Sequence, residues 1–301
     1  MENFTNLKLL EYRHPDEVAQ RKFDALVGLN NNKTELLFTL QHILDKKGMA
    51  KWIKKHHKKG LPYMEGIISG DSLIMMSGDV GCGKTELAHC IGTPLSKLMG
   101  EEPIVLFETP SDIRGGGHVG EVSRRITAAF DYAKTHLRKG EYGILLIDEA
   151  DDLATSRDQM QAHHEDRSGV NVLIKEIDKL QREQVDLAVI LVTNRPNTID
   201  PAVCRRAALH LSFNRPDATA LKTLLEQVFK GVQFNNGGLD EITQACSGRE
   251  TAYSFSDITK RIGKQSLISA WRKNVPLSKE IILEVIDRTK PSPVITENNK
   301  I

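Results

Sequence analysis

A glycine-rich loop carries the clearest chemistry in this chain. Gly78-Asp79-Val80-Gly81-Cys82-Gly83-Lys84-Thr85 fits the phosphate-binding pattern G-x-x-x-x-G-K-[ST]. Its glycines let backbone N–H groups approach phosphate oxygens, Lys84 can reach the β and γ phosphates, and the Thr85 hydroxyl can ligate Mg²⁺. The sequence therefore predicts a nucleoside triphosphate and Mg²⁺ as ligands. We assign the contacts in this stretch to Gly78, Val80, Gly81, Cys82, Gly83, Lys84, Thr85 and Glu86.

Two adjacent carboxylates, Asp148 and Glu149, follow the apolar run 143–147. Ligands of open α/β sheets lie beyond the carboxyl ends of the strands, so Asp148 is expected beside Thr85, holding Mg²⁺. Glu149 can then polarise the water that attacks the γ phosphate. The alternative, that both carboxylates only cap a helix, does not explain the phosphate loop.

A polar residue, Asn194, follows another apolar run at 188–192. A lone asparagine after a strand is usually a turn residue. Together with the loop and the carboxylates, Asn194 is expected to hydrogen-bond the γ phosphate or hold the attacking water, so we group it with Glu149 as catalytic.

The elements that must position these residues alternate along the chain. Five short apolar runs alternate with helical patterns, which predicts a parallel sheet covered by helices. The runs are 73–76, 104–107, 143–147, 188–192 and 209–213. After residue 214 helical patterns dominate. We therefore predict an N-terminal extension at 1–22, a large α/β domain at 23–214, a small helical domain at 215–289 and a tail at 290–301.

Composition excludes several classes of protein. The 301 residues are 40% hydrophobic and 27% charged, as in ordinary soluble domains, and 41 basic side chains balance 40 acidic ones. No apolar stretch is long enough for a membrane span, and the start lacks a signal peptide, which predicts a cytoplasmic protein. The four scattered cysteines favour reduced thiols over a disulfide framework.

The order of these motifs resembles that of an AAA+ ATPase, from Phe23 to about Ser269. The resemblance implies a five-stranded parallel sheet sandwiched by helices, followed by a small, mainly helical lid. Residues 23–29 resemble the segment that lines the adenine pocket, which assigns Val27 and Gly28 to nucleotide binding.

The segment 199–206 resembles the stretch whose arginines reach the ATP of the next subunit. Arg205 and Arg206 are therefore catalytic candidates, and the resemblance implies a homo-oligomeric ring, commonly a hexamer. The alternative is that both arginines pair with surface acids, and the sequence does not separate the two.

Within the superfamily, Ser247-Gly248-Arg249 resembles a motif of the pachytene-checkpoint ATPases, which remodel HORMA-domain proteins. The resemblance makes Arg249 the lid residue that senses nucleotide, with Lys260 and Arg261 as competitors. Few residues precede Phe23, so the N-terminal adaptor-binding domain of the eukaryotic members is expected to be absent. Compact bacterial relatives linked to anti-phage signalling by cyclic oligonucleotides fit this size.

A remodeller needs a loop that grips its substrate. The stretch 115–121 aligns with the pore loop of related unfoldases, which assigns substrate contact to His118 and Val119. The alternative is a flexible glycine turn with an exposed histidine. A polar loop at 157–165 falls where a second pore loop is expected, and the absence of H-E-x-x-H there argues against a zinc protease.

Two rival functions stay open. The lysine-rich segment 46–59, which contains Trp52, could bind nucleic acid phosphates and stack a base. Such a run of charged residues more often forms the solvent-exposed face of a helix, so a nucleic-acid-directed ATPase is the less favoured alternative. A nucleotide-gated scaffold that scarcely hydrolyses ATP is disfavoured by Glu149.

Overall fold

The computed structural model describes residues 7–64, 72–110, 120–152, 164–235 and 237–294. The chain divides into two compact units. The first unit comprises Met1–Ala25, Asn31–Ser77 and Thr85–Ser212, and the second comprises Leu26–Asn30, Gly78–Lys84 and Phe213–Ile301. None of the helices formed by these described ranges has the length and apolarity that crossing a membrane requires.

The first unit is built on a six-stranded sheet with the order β1-β3-β4-β5-β2-β6. Strands β2, β5, β4 and β3 pair in parallel, whereas β1 pairs with β3 antiparallel. The elements lying wholly or mainly in this unit are β1 Leu10–His14, α1 Glu17–Ala25, α2 Asn30–Leu44, α3 Lys46–His56, β2 Leu73–Gly78, α4 Lys84–Cys90, α5 Gly92–Leu98, β3 Ile104–Glu108, α6 Glu121–His136, β4 Tyr142–Ile147, α7 His164–Glu183, β5 Leu187–Thr193, α8 Pro201–Cys204 and β6 Ala207–Phe213.

The predicted α/β class is confirmed, and each of the five apolar runs forms a strand. The expectation of five parallel strands was wrong in one respect, because the antiparallel edge strand β1 makes a sixth. Four of the five residues of β1 are exposed. An exposed edge strand needs no apolar run, so its sequence lacks the signal that marked the others.

Apolar side chains of the strands and of two long helices form the core of this unit. Strand β5 is buried along its whole length, and α6 buries Val122, Ile126 and Phe130. Helix α7 contributes Leu173 and Ile177 to the same cluster. Each fully buried side chain of this size stabilises the fold by about 1.5–3 kcal/mol. The packed core fixes the strand ends from which the polar residues project.

The second unit is mainly helical and has its own core. It contains α9 Ala218–Val228, α10 Gly238–Ser247, a π-helical segment Asp257–Gly263, α11 Lys264–Lys273 and α12 Lys279–Arg288. The Asp217 carboxylate caps α9 by accepting from the Ala220 N–H. Leu225, Ile242, Ile258 and Ile282 are completely buried in its core.

Candidate active site

Within the first unit, the end of β4 brings two predicted site residues together. Residues 143–147 are buried, and the chain then delivers Asp148 to the edge of the sheet. The Thr85 hydroxyl donates to Asp148 Oδ2 at 2.8 Å, and the Glu149 N–H donates to Asp148 Oδ1 at 2.8 Å. A hydroxyl and a carboxylate in contact supply the hard oxygen ligands that Mg²⁺ prefers, so these residues fit the metal.

Glu149 has an unusual backbone conformation. Its φ is 52°, in the left-handed region that residues other than glycine seldom occupy, and its side chain is exposed. Such a conformation costs of order 1–3 kcal/mol and occurs preferentially at functional sites. The exposed residue therefore lies next to Asp148 in a strained turn, with access to water.

The turn that carries Asn194 is anchored to the same acidic segment. Thr193, fully buried at the end of β5, donates from its hydroxyl to Asp151 Oδ1 at 2.8 Å. The same hydroxyl accepts from the Arg195 N–H at 2.9 Å. Asp151 and Thr193 thus fix the chain on both sides of Asn194, and sequence reasoning had assigned a role to neither.

The phosphate loop belongs to the second unit and closes on itself through Lys84. The Lys84 ammonium donates to the carbonyl oxygens of Gly78 at 2.9 Å and of Asp79 at 2.8 Å. Gly78 has a φ of 140°, and a Cβ added there would lie 2.1 Å from the Phe213 carbonyl oxygen. Only glycine is compatible with that approach. The open backbone and the ammonium group fit a polyphosphate.

Two serines of the same unit pack directly against this loop. The Ser256 N–H donates to the Gly81 carbonyl at 3.0 Å, and a Cβ at Gly81 would lie 2.8 Å from Ser254 Oγ. Ser254 and Asp257 form a reciprocal capping box, with backbone-to-side-chain distances of 3.0 and 3.1 Å. The S-x-x-D pattern at 254–257 was the available signal for this support, which sequence reasoning missed.

Asp257 is only 1% exposed yet carries a stabilised negative charge. Burial alone would raise the pKa of its carboxyl, but hydrogen bonds from Ser292, Arg261 and the backbone outweigh burial and lower the pKa to about 2. The Ser292 hydroxyl lies 2.6 Å from Asp257 Oδ1. The first residues of the segment predicted as a tail are thus tied into the second unit.

Other predicted nucleotide residues have contacts that the sequence did not indicate. Val27 packs against the core of the second unit, and Gly28, with a φ of 71°, has no room for a Cβ, which would lie 2.8 Å from the Ala220 Cβ. Glu86 forms an ion pair with Lys22 at 3.0 Å in the first unit. The roles assigned to these residues stay predictions.

The lid-sensor candidates differ in their surroundings. Arg249 donates to the Ile286 carbonyl at 3.1 Å and lies 3.5 Å from Asp287, both on α12. Arg261 pairs with Asp257 at 2.8 Å, and Lys260 is exposed. In this part of the chain Ser254 and Ser256 contact the phosphate loop at Gly81, so the sensor role of Arg249 stays a prediction.

Arg205 and Arg206, the two candidates for the arginine that reaches the next subunit, differ in their contacts. Arg206 makes a bidentate ion pair with Asp178 of α7, at 2.7 and 3.1 Å, and donates to the Ala202 carbonyl. Arg205 is exposed. Arg206 would have to leave Asp178 in order to reach another subunit, whereas Arg205 would not.

The loop cysteine has no sign of reactivity. Burial raises the pKa of the Cys82 thiol to about 11, with the Asp79 charge acting in the same direction. A thiol that stays protonated is a poor nucleophile. All four cysteines are free, in agreement with the expectation of reduced thiols.

The predicted pore-loop residues His118 and Val119, and the stretch 157–163 of the second loop, lie outside the described residues. Most of the basic segment is described as α3, which buries Ile53 and exposes its lysines except Lys46, which is partly buried and donates to the Val185 carbonyl at 3.3 Å. Trp52 is half exposed and lies beside the rings of His56 and His57, at centroid distances of 5.2 and 5.5 Å.

Comparisons with known proteins identify the family of this chain. The family model described as "ATPase family associated with various cellular activities (AAA)" matches residues 74–215. The chain is 34% identical to CD-NTase-associated protein 6 of Escherichia coli (strain MS 115-1) over 294 residues, covering 94% of each protein.

Two solved structures are similar over almost the whole chain. One is a chain of the E. coli MS115-1 HORMA:CdnC:Trip13 complex, with a TM-score of 0.88, 34% identity, and coverage of 97% of this chain and 99% of that one. The other is Rhizobiales Trip13, with a TM-score of 0.72, 28% identity, and coverage of 94% and 98%. The chain is therefore an ATP-hydrolysing member of the AAA ATPases, in the family of CD-NTase-associated protein 6 and the bacterial Trip13 proteins.

Proposed function

We propose that this protein is an ATP-driven remodeller that forms a ring and acts on a HORMA-domain protein in anti-phage defence. The observation that carries the proposal is the near full-length similarity to the Trip13 chain of a complex that also contains a HORMA protein. We also propose that the protein works in the cytoplasm, and that the second unit from Phe213 onward serves as the lid of the nucleotide domain.

The hydrolytic step is assigned to residues whose geometry is described above. Lys84 and the loop amides bind the β and γ phosphates, and Thr85 and Asp148 hold Mg²⁺, which neutralises developing charge when bound. Glu149 accepts the proton of the attacking water, and Asn194 orients that water or the γ phosphate. The exposed position of Glu149 beside Asp148 supports this division of roles.

We propose that the active oligomer is a hexamer in which one of Arg205 and Arg206 completes a neighbour's site. An arginine supplied in trans neutralises charge on the transferring phosphoryl group. The exposure of Arg205 and the partial exposure of the ion pair between Arg206 and Asp178 are both compatible with that role. In this scheme hydrolysis depends on assembly.

We propose that His118 and Val119 contact a substrate segment threaded through the ring. His118→Ala should hydrolyse ATP normally while failing to unfold a fluorescently labelled HORMA substrate. A matched control is His210→Ala, because His210 is exposed on β6. Unfolding by His118→Ala at the wild-type rate would remove the residue from the substrate path.

The proposed function is tested by capture and by stimulation. The Glu149→Gln protein, loaded with ATP, should retain a HORMA-domain protein from the native host, whereas Lys84→Ala should not. ATPase activity should rise with that HORMA protein and stay unchanged with single-stranded DNA or RNA. Stimulation by nucleic acid alone would favour the α3 surface around Trp52 as the functional one and contradict the proposal.

A further inference from the structure

A largely buried ion pair links the phosphate loop to Arg215, and the pattern G-x-x-x-x-G-K-[ST] does not account for it. Asp79, the second residue of the loop, has a side chain that is 12% exposed, and the side chain of Arg215, just beyond β6, is 9% exposed. The Arg215 Nε donates to Asp79 Oδ2 at 2.5 Å. The same guanidinium donates from Nη1 to the Ala252 carbonyl and from Nη2 to the Pro293 carbonyl, the latter at 3.1 Å.

We propose that Arg215 is a positioning residue for ATP binding, which neutralises Asp79 and fixes the phosphate loop, and that residues 289–294 complete this support. This inference concerns nucleotide binding and does not depend on which protein the ATPase acts on.

The negative charge of Asp79 must be neutralised, because this carboxylate lies in a loop whose proposed ligand is itself a polyanion. Without Arg215 the largely buried carboxylate would lose the guanidinium that neutralises it and would repel the phosphates, and both effects are unfavourable. Arg215 is suited to the task because its planar guanidinium is permanently charged and donates in several directions at once.

The contacts that hold the Asp79 side chain also fix the backbone that holds Lys84. Asp79 Oδ1 accepts from the Val80 N–H at 2.9 Å, so its side chain is clamped between Val80 and Arg215. The carbonyl of the same residue holds the Lys84 ammonium at 2.8 Å. A change in the Asp79 side chain is therefore transmitted directly to the position of Lys84.

The C-terminal segment reaches the loop by two routes within the second unit. Pro293 is connected to Asp79 through Arg215, as described above. Ser292 donates twice to Asp257, at 2.6 and 3.1 Å, and Asp257 caps the turn whose Ser256 N–H binds the Gly81 carbonyl. Residues 289–294 thereby support the loop at Asp79 and at Gly81.

The test measures ATP affinity by calorimetry in full-length variants, with melting temperature recorded in parallel. Arg215→Ala should weaken ATP binding at least about 10-fold, and Arg215→Lys should be intermediate because it keeps the charge but not the three-way geometry. Arg288→Ala is the matched control, since Arg288 lies in the same unit and is exposed, with a hydrogen bond to Ser269. Its affinity should stay at the wild-type value.

The decisive variant removes both charges. Asp79→Ala combined with Arg215→Ala should recover much of the affinity lost in Arg215→Ala, because the uncompensated carboxylate is gone. A merely structural arginine would give no such recovery. Wild-type affinity in Arg215→Ala, or no recovery in the double variant, would overturn the proposal.

The contribution of residues 289–294 to ATP affinity is tested with Ser292→Ala. This variant should bind ATP about 2- to 3-fold more weakly, because one hydrogen bond is lost. Unchanged affinity in that variant would overturn the part assigned to residues 289–294. Should Arg215→Ala fail to fold, Arg215→Gln, which removes the charge but keeps hydrogen-bond donors, gives the same comparison with and without Asp79→Ala, with the same two deciding outcomes.

Discussion

The carboxylate edge of β4 in the first unit and the phosphate loop in the second unit are held in different ways. At the carboxylate edge, Asp148 follows directly from a buried strand, and its partner Thr85 lies in the first turn of α4. The phosphate loop is held by Arg215 and Ser256, which follow it by more than 130 residues along the chain.

In the proposed mechanism, the carboxylate edge carries out hydrolysis, whereas the phosphate loop determines the affinity for ATP. Changes at the carboxylate edge should leave nucleotide bound but unreacted, because those side chains act on water and metal. Changes at the loop should weaken binding itself. Four predictions test whether the two regions divide the work in this way.

The largest effect is expected for the trans arginine. Rings made only of subunits that lack the arginine should have kcat reduced about 10³-fold or more. Mixing these subunits with Glu149→Gln subunits should restore part of the activity, because the Glu149→Gln subunits still supply the arginine to their neighbours. Arg205→Ala and Arg206→Ala are measured separately. Normal hydrolysis in both would contradict an intersubunit site.

The next effect is expected for Glu149→Gln, which removes the general base. Phosphate release in single turnover should slow about 10²- to 10⁴-fold, while ATP affinity stays near the wild-type value. Glu183→Gln is a useful control, because Glu183 lies at the end of α7. Turnover close to wild type in Glu149→Gln would exclude this carboxylate as the base.

Lys84→Ala should show the opposite pattern. Loss of the ammonium removes charge-assisted hydrogen bonds to the phosphates, so ATP affinity in calorimetry should fall about 100-fold or more. Lys47→Ala, on the exposed face of α3, serves as the control. Tight binding by Lys84→Ala would contradict the assignment of the loop.

The smallest effect concerns the pH dependence of stability through Asp257. Its pKa is about 2 in the folded protein against an ordinary value of 3.8. The charged form therefore stabilises the fold above pH ~4, and this contribution, about 2 kcal/mol, is lost as the pH falls from about 4 to about 2.

Denaturant unfolding of wild type and Asp257→Asn at pH 6 and pH 3 measures this contribution. The difference in unfolding free energy between the two proteins should be smaller at pH 3 than at pH 6. A difference that grows on acidification would show that the carboxyl is not stabilised in its charged form.

Sequence reasoning succeeded where a signal was local. The five apolar runs, the glycine loop and the carboxylates after β4 each lie within a few consecutive residues, and their periodicity or spacing is enough to recognise them. Strand β1 was missed because an exposed edge strand has no apolar run. The contact between Thr85 and Asp148 was predictable, since parallel strands end at one edge of a sheet.

The supports of the loop could not be predicted in the same way. Arg215 lies in Asn214-Arg215-Pro216-Asp217, whose composition indicated only a boundary between domains. Nothing near it in sequence points to Asp79. Arg249 was chosen from a three-residue resemblance, whereas contact with Gly81 is made by Ser254 and Ser256, which only the tertiary structure identifies.

The left-handed backbone of Glu149 has a consequence for engineering this enzyme. A glycine at that position would relax the turn, so Glu149→Gly should be tolerated by the fold better than most changes at a sheet edge. In the proposed mechanism, the same substitution removes the general base and abolishes ATP hydrolysis. Selection for thermal stability alone would therefore favour inactive variants at this residue. Any effort to stabilise the protein must screen for ATPase activity as well.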